Sequence, residues 1–383
     1  MANASVTRSA SIPAATRAKD ILRKFLAVGE RVPMDAIVVQ KSSCSSTLSC
    51  QFKLLQDSSG RRMMVAVQPL SIQGLVSFDD GRQWTNYFPD ERRMVVMPSP
   101  RIARDNADLR IQLASQNYRF VMETSTRVAG RQAEVVVVIP RNYGLATKRF
   151  TIDSANDVLL RVESIERNLN SETIFETKSV QFLTEATHLK FSPGNEMAFR
   201  VFKPEMPSRL ANISLAKEIV GFVPVTLHSM PFGFTLRESS ALQSRSGSYV
   251  TQRWTDGIVS ATLYQFASGR NPLGASSDGL DFSHNNVTLR LVGDIPYEGK
   301  RIMMEQIARS LGRTLRPLRE LGPPVKVLPT KRLPEHEPES EALIQTAFGQ
   351  SIEKAIEAAF EKVTVLGRNF EFRQRLIEDE QHN

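Results

Sequence analysis

The sequence predicts an α+β protein built on a large, curled antiparallel sheet, with a smaller β-rich unit after it. Three observations lead there. Apolar and polar residues alternate in many short stretches between residues 48 and 202. Clusters of Asp, Gly and Pro separate those stretches, which favours hairpins over parallel crossovers. Helical periodicity is confined to a few segments. The about ten half-buried strands so counted must curl to cover their apolar face.

The elements follow in order. Ala14 to Gly29 reads as a helix, with Ala18, Ile21, Leu22, Phe25 and Leu26 on one stripe and Gly29 as its stop. Leu48, Cys50, Phe52 and Leu54 then alternate with polar residues, and Met63, Val65 and Val67 follow the turn Asp57-Ser58-Ser59-Gly60. Leu75–Phe78, Gln83–Phe88 and Arg93–Met97 continue the meander across Asp79-Asp80-Gly81 and Pro89-Asp90. Arg101 to Ser115 reads as a second helix carrying Ile102, Leu109 and Leu113. Strands resume at Tyr118–Glu123, Ala133–Ile139, Lys148–Asp153, Leu159–Ile165, Glu172–Phe182 and Met197–Phe202.

Pro204-Glu205-Met206-Pro207 marks a linker. Beyond it Phe234–Leu236, Tyr249–Trp254, Ile258–Phe266 and Asn286–Val292 read as strands, with a hairpin turn at Thr255-Asp256-Gly257. Glu298 to Leu311 is helical, capped by Gly312. The expected organisation is a loose 1–13, a large sheet domain over 14–203, and a smaller one over 204–321. A stiff Pro-rich linker over 322–339 and an amphipathic helix over 340–379 complete it. The stripe Ile344, Phe348, Ile352, Ile356 and Phe360 on that helix must dock on the body or pair with a partner helix, and oligomerisation is one outcome.

The chain has 383 residues, 41% hydrophobic and 23% charged, which is a globular composition. Its longest aliphatic run, Val135 to Ile139, is far short of the roughly 20 residues of a membrane-spanning helix. Two cysteines, Cys44 and Cys50, exclude a disulfide scaffold and a multi-Cys zinc module. A bridge between them would need a turn at Ser45-Ser46, and Cys50 reads better as a small buried residue. No secretory leader is visible in the first thirty residues, so the chain is either cytosolic or a processed form.

The net charge of +8 is uneven. Basic residues concentrate between Tyr297 and Leu333, where Arg309, Arg313, Arg316 and Arg319 recur. Such a stretch suits an anionic lipid surface, an acidic protein or nucleic acid, or is simply a solvated face. No helix-turn-helix, zinc finger or RNP-like motif accompanies it, which makes nucleic acid the weakest option. The five histidines are isolated, no G-x-S-x-G elbow or G-x-G-x-x-G loop occurs, and nothing supports a metal, a cofactor or an enzymatic activity.

Two stretches, the second in two parts, resemble one known group, and a further stretch resembles a related one. Arg127-Val128-Ala129-Gly130-Arg131, then the apolar Val135–Ile139 and Pro140-Arg141, is similar to a segment of the MucB/RseB family. So are Met230-Pro231-Phe232-Gly233-Phe234 and Trp254-Thr255-Asp256-Gly257-Ile258-Val259-Ser260. Asp80-Gly81-Arg82-Gln83-Trp84 through Tyr87-Phe88-Pro89 resembles a hairpin of LolA-type lipoprotein-sorting proteins. The resemblance spans about residues 15–310. It implies a LolA-like open antiparallel β-barrel closed by helices, and a smaller C-terminal domain that helps contact a partner. It also implies a periplasmic or extracytoplasmic, non-enzymatic regulator in envelope-stress signal transduction that binds an anti-sigma-factor-like membrane protein or a lipoprotein. The helix beyond residue 340 has no counterpart in that pattern.

The expected inner face carries Phe52, Phe78, Trp84, Phe120, Phe150 and Ile152. These either line a lipid-sized cavity, open to an acyl chain or lipopolysaccharide, or simply fill the core. Gly130 supplies a turn conformation. Arg131 faces solvent or a partner carboxylate, and an exposed salt bridge accounts for it as well as recognition does. Two other functions compete with the regulator: a LolA-type lipid or lipoprotein carrier, and a cytosolic scaffold or nucleic-acid-binding protein using the basic 297–333 stretch.

Overall fold

The computed structural model describes residues 13–41, 49–88, 92–99, 106–167, 170–184, 199–244, 247–270 and 279–312. The Pro-rich linker, the terminal helix, and Arg313, Arg316 and Arg319 lie outside the described residues. So do Cys44 and the start of the expected second helix.

The chain opens with α1 (Ala14–Val28) and runs into a meander of β1 (Met34–Lys41), β2 (Ser49–Gln56), β3 (Arg62–Gln68), β4 (Val76–Asp79), β5 (Gln83–Phe88) and β6 (Arg93–Pro98). Helix α2 (Ala107–Asn117) leads into a second meander: β7 (Tyr118–Val128), β8 (Arg131–Pro140), β9 (Thr147–Asp153), β10 (Leu159–Ile165) and β11 (Ser171–Phe182). Strand β1 pairs with both β2 and β11, so it zips the two meanders into one sheet, and β12 (Arg200–Phe202) adds in parallel beside β6. The sheet runs from β12 to β7 without closing. This strand that joins everything is absent from the sequence reading, because Ile37-Val38-Val39 is apolar on both phases and hides the alternation. Burial restores it: Met34, Ala36, Val38 and Gln40 point inward.

The turns form as their residues demand. Asp57 accepts from Ser59 Oγ and the Arg61 backbone N–H, and Asp80 accepts from the N–H groups of Arg82 and Gln83. Register shifts at Ile37/Val38, Glu123/Thr126 and Val162/Glu163 bend the strands, so the sheet becomes a cup. Helix α1 lays Ala18, Ile21 and Leu22 on the β7–β8 side of that cup, where they pack with Tyr118, Phe120, Val136, Val138 and Ile152. The opposite side closes on itself through Phe52, Leu54, Trp84, Val95 and Met97. Each such large apolar side chain contributes about 1.5–3 kcal/mol when buried.

A second lobe follows the irregular segment at Pro204–Pro207. Its sheet runs β13 (Ser208–Arg209), β14 (Thr235–Ser244), β15 (Gly247–Thr255), β16 (Ser260–Ala267), β18 (Val287–Gly293) and β17 (Leu280–His284). Helix α3 (Ala216–Val220) packs on β14, and α4 (Tyr297–Ser310) buries Met303, Met304 and Ile307 against Leu263, Leu289 and Leu291. Strand β14 is far longer than the expected Phe234–Leu236, since its Ser-rich half is held by pairing with β15 rather than by its own apolar pattern. No helix among the described residues is long and apolar enough to cross a membrane.

Candidate functional site

A cavity of about 200 Å³ lies in the cup, where α1 stands away from the sheet. Leu22, Phe25 and Leu26 of α1 form one wall, and Met34 and Val38 of β1 with Phe150, Val162 and Phe175 form another. Ile258, Val259 and Asp294 of the second lobe also line it. The cavity is therefore bounded by both lobes, and an apolar chain inside it would touch both.

The joint between the lobes is close-fitting. The Asp256-Gly257 turn of the β15–β16 hairpin presses on α2, so that a Cβ on Gly257 would come within 2.3 Å of the Arg110 carbonyl and 2.5 Å of the Ala114 nitrogen. Asn117, the last residue of α2, reaches the carbonyls of Gly233 at 3.3 Å and Asp256 at 3.2 Å. Gly144 and Gly299 meet backbone to backbone, where a Cβ on Gly299 would sit 2.1 Å from the Gly144 carbonyl. Two of the family-like segments, around Gly233 and around Asp256, thus converge on this joint.

Polar groups are built into it. Tyr118 donates to Asp256 Oδ2 at 2.6 Å, while the N–H groups of Ile258 and Val259 donate to Oδ1, each at 2.9 Å. Burial pushes the Asp256 carboxyl up from 3.8 to about 6, against the lowering effect of those donors. Burial and the Asp256 carboxylate likewise raise the Tyr118 phenol. On the cavity wall, the buried Lys148 ammonium reaches Asp294 at 2.8 Å and Ser164 at 3.1 Å. Gln56 donates to the carbonyls of Gly29 and Val32 and accepts from Arg62. No group of His, Cys, Asp or Glu among the described residues could hold a metal ion.

The structure separates the predicted lining residues. Phe150 lines the cavity. Phe52 and Trp84 belong to one packed cluster, and Phe120 and Ile152 to the other. Phe78 departs from the expected inner face: it pairs with Thr85, one phase away from Trp84, and is half-buried on the other side of the sheet. The inward phase of β4 carries Ser77 and Asp79 instead, and Ser77 donates to Asn86 inside the cup at 2.5 Å. Arg131 bonds Asp153 at 2.8 Å and lies 4.9 Å over the Phe182 ring. Burial raises Asp153, but bonds from Arg131, Ala155 and Asn156 outweigh it and hold that carboxyl low. Arg309 is exposed on α4, 3.6 Å from Glu305. Cys50 is buried and free, its thiol pushed up to about 11 by burial.

Sequence reasoning missed Asn117, Tyr118, Lys148, Asp256 and Asp294 as a group. Lys148 left a signal, because it shares the inward phase of its strand with Phe150 and Ile152. Asp256 left none beyond ordinary turn chemistry.

The open sheet, the helix-walled cavity and the second lobe sealed against it define a class: a sheet cup with an accessory β-lobe and a cavity at their joint. Residues 79–193, within the large lobe, match the MucB/RseB N-terminal domain family. The fold is similar to that of MucB in the Pseudomonas aeruginosa MucA/MucB complex, with 16% identity over 75% of this chain and 96% of that one, at a TM-score of 0.52. A MucB structure with periplasmic MucA gives 13% identity, 76% and 96% coverage, and a TM-score of 0.50. No curated protein sequence matches the chain.

Proposed function

We propose that this protein is a non-enzymatic, extracytoplasmic regulator of the MucB/RseB type. It holds part of an anti-sigma-factor-like membrane protein and takes an acyl chain into the cavity at its joint. The carrying observation is that both lobes wall the cavity: Ile258, Val259 and Asp294 lie beside α1 and the cup. Occupancy is then coupled to how the lobes sit together, which a carrier with a single lobe lacks. MucB has been solved with MucA, which supports a partner of that kind here. We assign to an acidic partner or anionic lipid the exposed Arg309 together with Arg313, Arg316 and Arg319, which follow it in the sequence, and Arg131 to holding its own sheet.

The test uses the purified full chain. Long-chain fatty acids should raise its melting temperature by mass action, by about 2.7 kcal/mol of stability at a hundred times the dissociation constant. Phe150→Asp should remove the effect, since a buried unpaired charge opposes an apolar ligand. The extracytoplasmic segment of a MucA-like protein from the same cell should bind, with an affinity that changes when the fatty acid is present. No melting shift together with no lipid in native mass spectra would leave the cavity without this role.

A further inference from the structure

The large sheet has a second face, away from the cup. On the inner phase of β7 and β8, Tyr118, Phe120, Val136 and Val138 pack under α1. The other phase points away from α1 and α2, and no described helix packs on it. There Arg149, opposite Val137, bonds Glu123 and pairs with Glu163. Towards the start of β7 the same face turns apolar: Val121 is 41% exposed, and Ile139 and Ile165 are half-buried. Tyr143, in the β8–β9 connection at that end, is 56% exposed, with the Arg167 guanidinium 4.2 Å from its ring. Arg119 stands opposite Ile139, and Arg141 follows the end of β8. These three arginines are exposed, and among the described residues none of them meets a carboxylate.

The chain carries a segment of the complementary pattern. Glu337 to Asn383 holds ten acids and five bases, a net −5 that leaves +13 on the rest of a chain whose total is +8. Within it Glu353, Glu357 and Glu361 each follow a member of the apolar stripe, namely Ile352, Ile356 and Phe360. On a helix such acids form a row along one flank of the stripe. From Ile344 to Phe360 that stripe is about 24 Å long, enough to cross the five strands β7 to β11, which span about 19 Å. Reach is not limiting. Gly299, near the start of α4, touches Gly144 beside Tyr143. The stretch Arg313 to Glu339 that follows α4 can extend to about 90 Å.

We infer that residues 340–361 of this chain dock as an amphipathic helix on the outer face at the Tyr143 end of β7–β11. The apolar stripe covers Val121, Ile139, Tyr143 and Ile165, and the glutamate row meets Arg119, Arg141 and Arg167. The tail is then an internal occupant of a basic, apolar surface, and an acidic partner helix must displace it to bind there. This goes beyond the partner reading above and does not depend on it.

The experiment places a benzophenone photo-crosslinker in the full chain, as Tyr143→p-benzoylphenylalanine, and maps the products by mass spectrometry. Irradiation should link position 143 to a peptide from residues 340–361 within the monomer, at a yield that dilution leaves unchanged, because docking in one chain is independent of concentration. The same group at Leu70, 85% exposed between β3 and β4, should give no such product. Arg119→Glu, Arg141→Glu and Arg167→Glu together should lower the yield about fivefold or more, the loss of three exposed ion pairs. Adding Glu353→Lys, Glu357→Lys and Glu361→Lys should restore it. These are exposed positions, and an unchanged circular dichroism spectrum shows that each variant folds. No product from residues 340–361 overturns the assignment. A product found only in dimers assigns the surface to a second copy, and a yield indifferent to the charge reversals removes the arginine–glutamate match; either result also overturns it.

Discussion

The Tyr118 hydroxyl donates to Asp256 Oδ2 at 2.6 Å, joining the first residue of β7 to a hairpin turn 138 residues later. Both groups are buried, and the bond is part of what seats the second lobe on the first. Replacing Tyr118 with Phe keeps the ring and removes the donor. Asp256 retains its two backbone donors, so the expected loss is about 1–3 kcal/mol, read from urea unfolding.

Asp256 also sets a pH dependence of known sign. Its carboxyl titrates near 6 in the folded protein against 3.8 ordinarily, so the folded state binds this proton more tightly. The stabilisation is full below about pH 4 and is lost as pH rises through 6. Asp57, Asp153 and Glu176 are held low and act oppositely, their contribution fading as pH falls. The readout is therefore a difference: Asp256→Asn should gain stability relative to the unaltered chain on going from pH 4.5 to pH 7.5. Parallel stability curves for the two proteins would remove the claim.

Glycines at the joint should not be interchangeable with glycines in free turns. Gly257→Ala and Gly299→Ala each drive a Cβ into backbone, at Arg110 and Gly144 respectively, and should loosen the lobes. Limited proteolysis between residues 203 and 207 would accelerate in both. Gly130 has φ +74° but nothing within 4 Å of its Cβ position. Gly130→Ala should cost only the left-handed backbone term, about 1–2 kcal/mol, with the proteolysis pattern unchanged.

The Lys148–Asp294 pair offers a test by double substitution. Lys148 has 4% of its side chain exposed and Asp294 has 32%. Asp294→Ala strands a buried ammonium and should cost about 3 kcal/mol or more. Lys148→Met with Asp294→Leu removes both charges and should recover most of that loss. Equal losses in the single and double variants would show that the loss does not come from a stranded ammonium.

Much of the architecture was legible because short-range chemistry wrote it. Helix α1 shows its stripe in Ala18, Ile21 and Leu22, and the Asp57–Gly60 and Asp79–Gly81 turns carry residues that favour them. Strand β1 was illegible for the opposite reason: three consecutive apolar residues carry no phase. The short β4 misled, since its apolar pair Val76 and Phe78 lies outward while Ser77 finds Asn86 within. The site was legible only in part. Phe150 could be named from alternation, but Phe120 and Ile152 alternate identically and pack under α1 instead.

Alternation, turn residues and helical stripes, all properties of neighbours along the chain, were enough to determine an antiparallel α+β protein with a large sheet and a smaller second one. Register, curvature and the meeting of distant segments are not properties of neighbours. The β1–β11 pairing, the bulges that cup the sheet, and the contact of Asn117 and Tyr118 with Asp256 arise only when the whole apolar face is buried at once. The same is true of Gln40, a polar residue that the sheet's register sets in one row with Phe150, Val162 and Phe175.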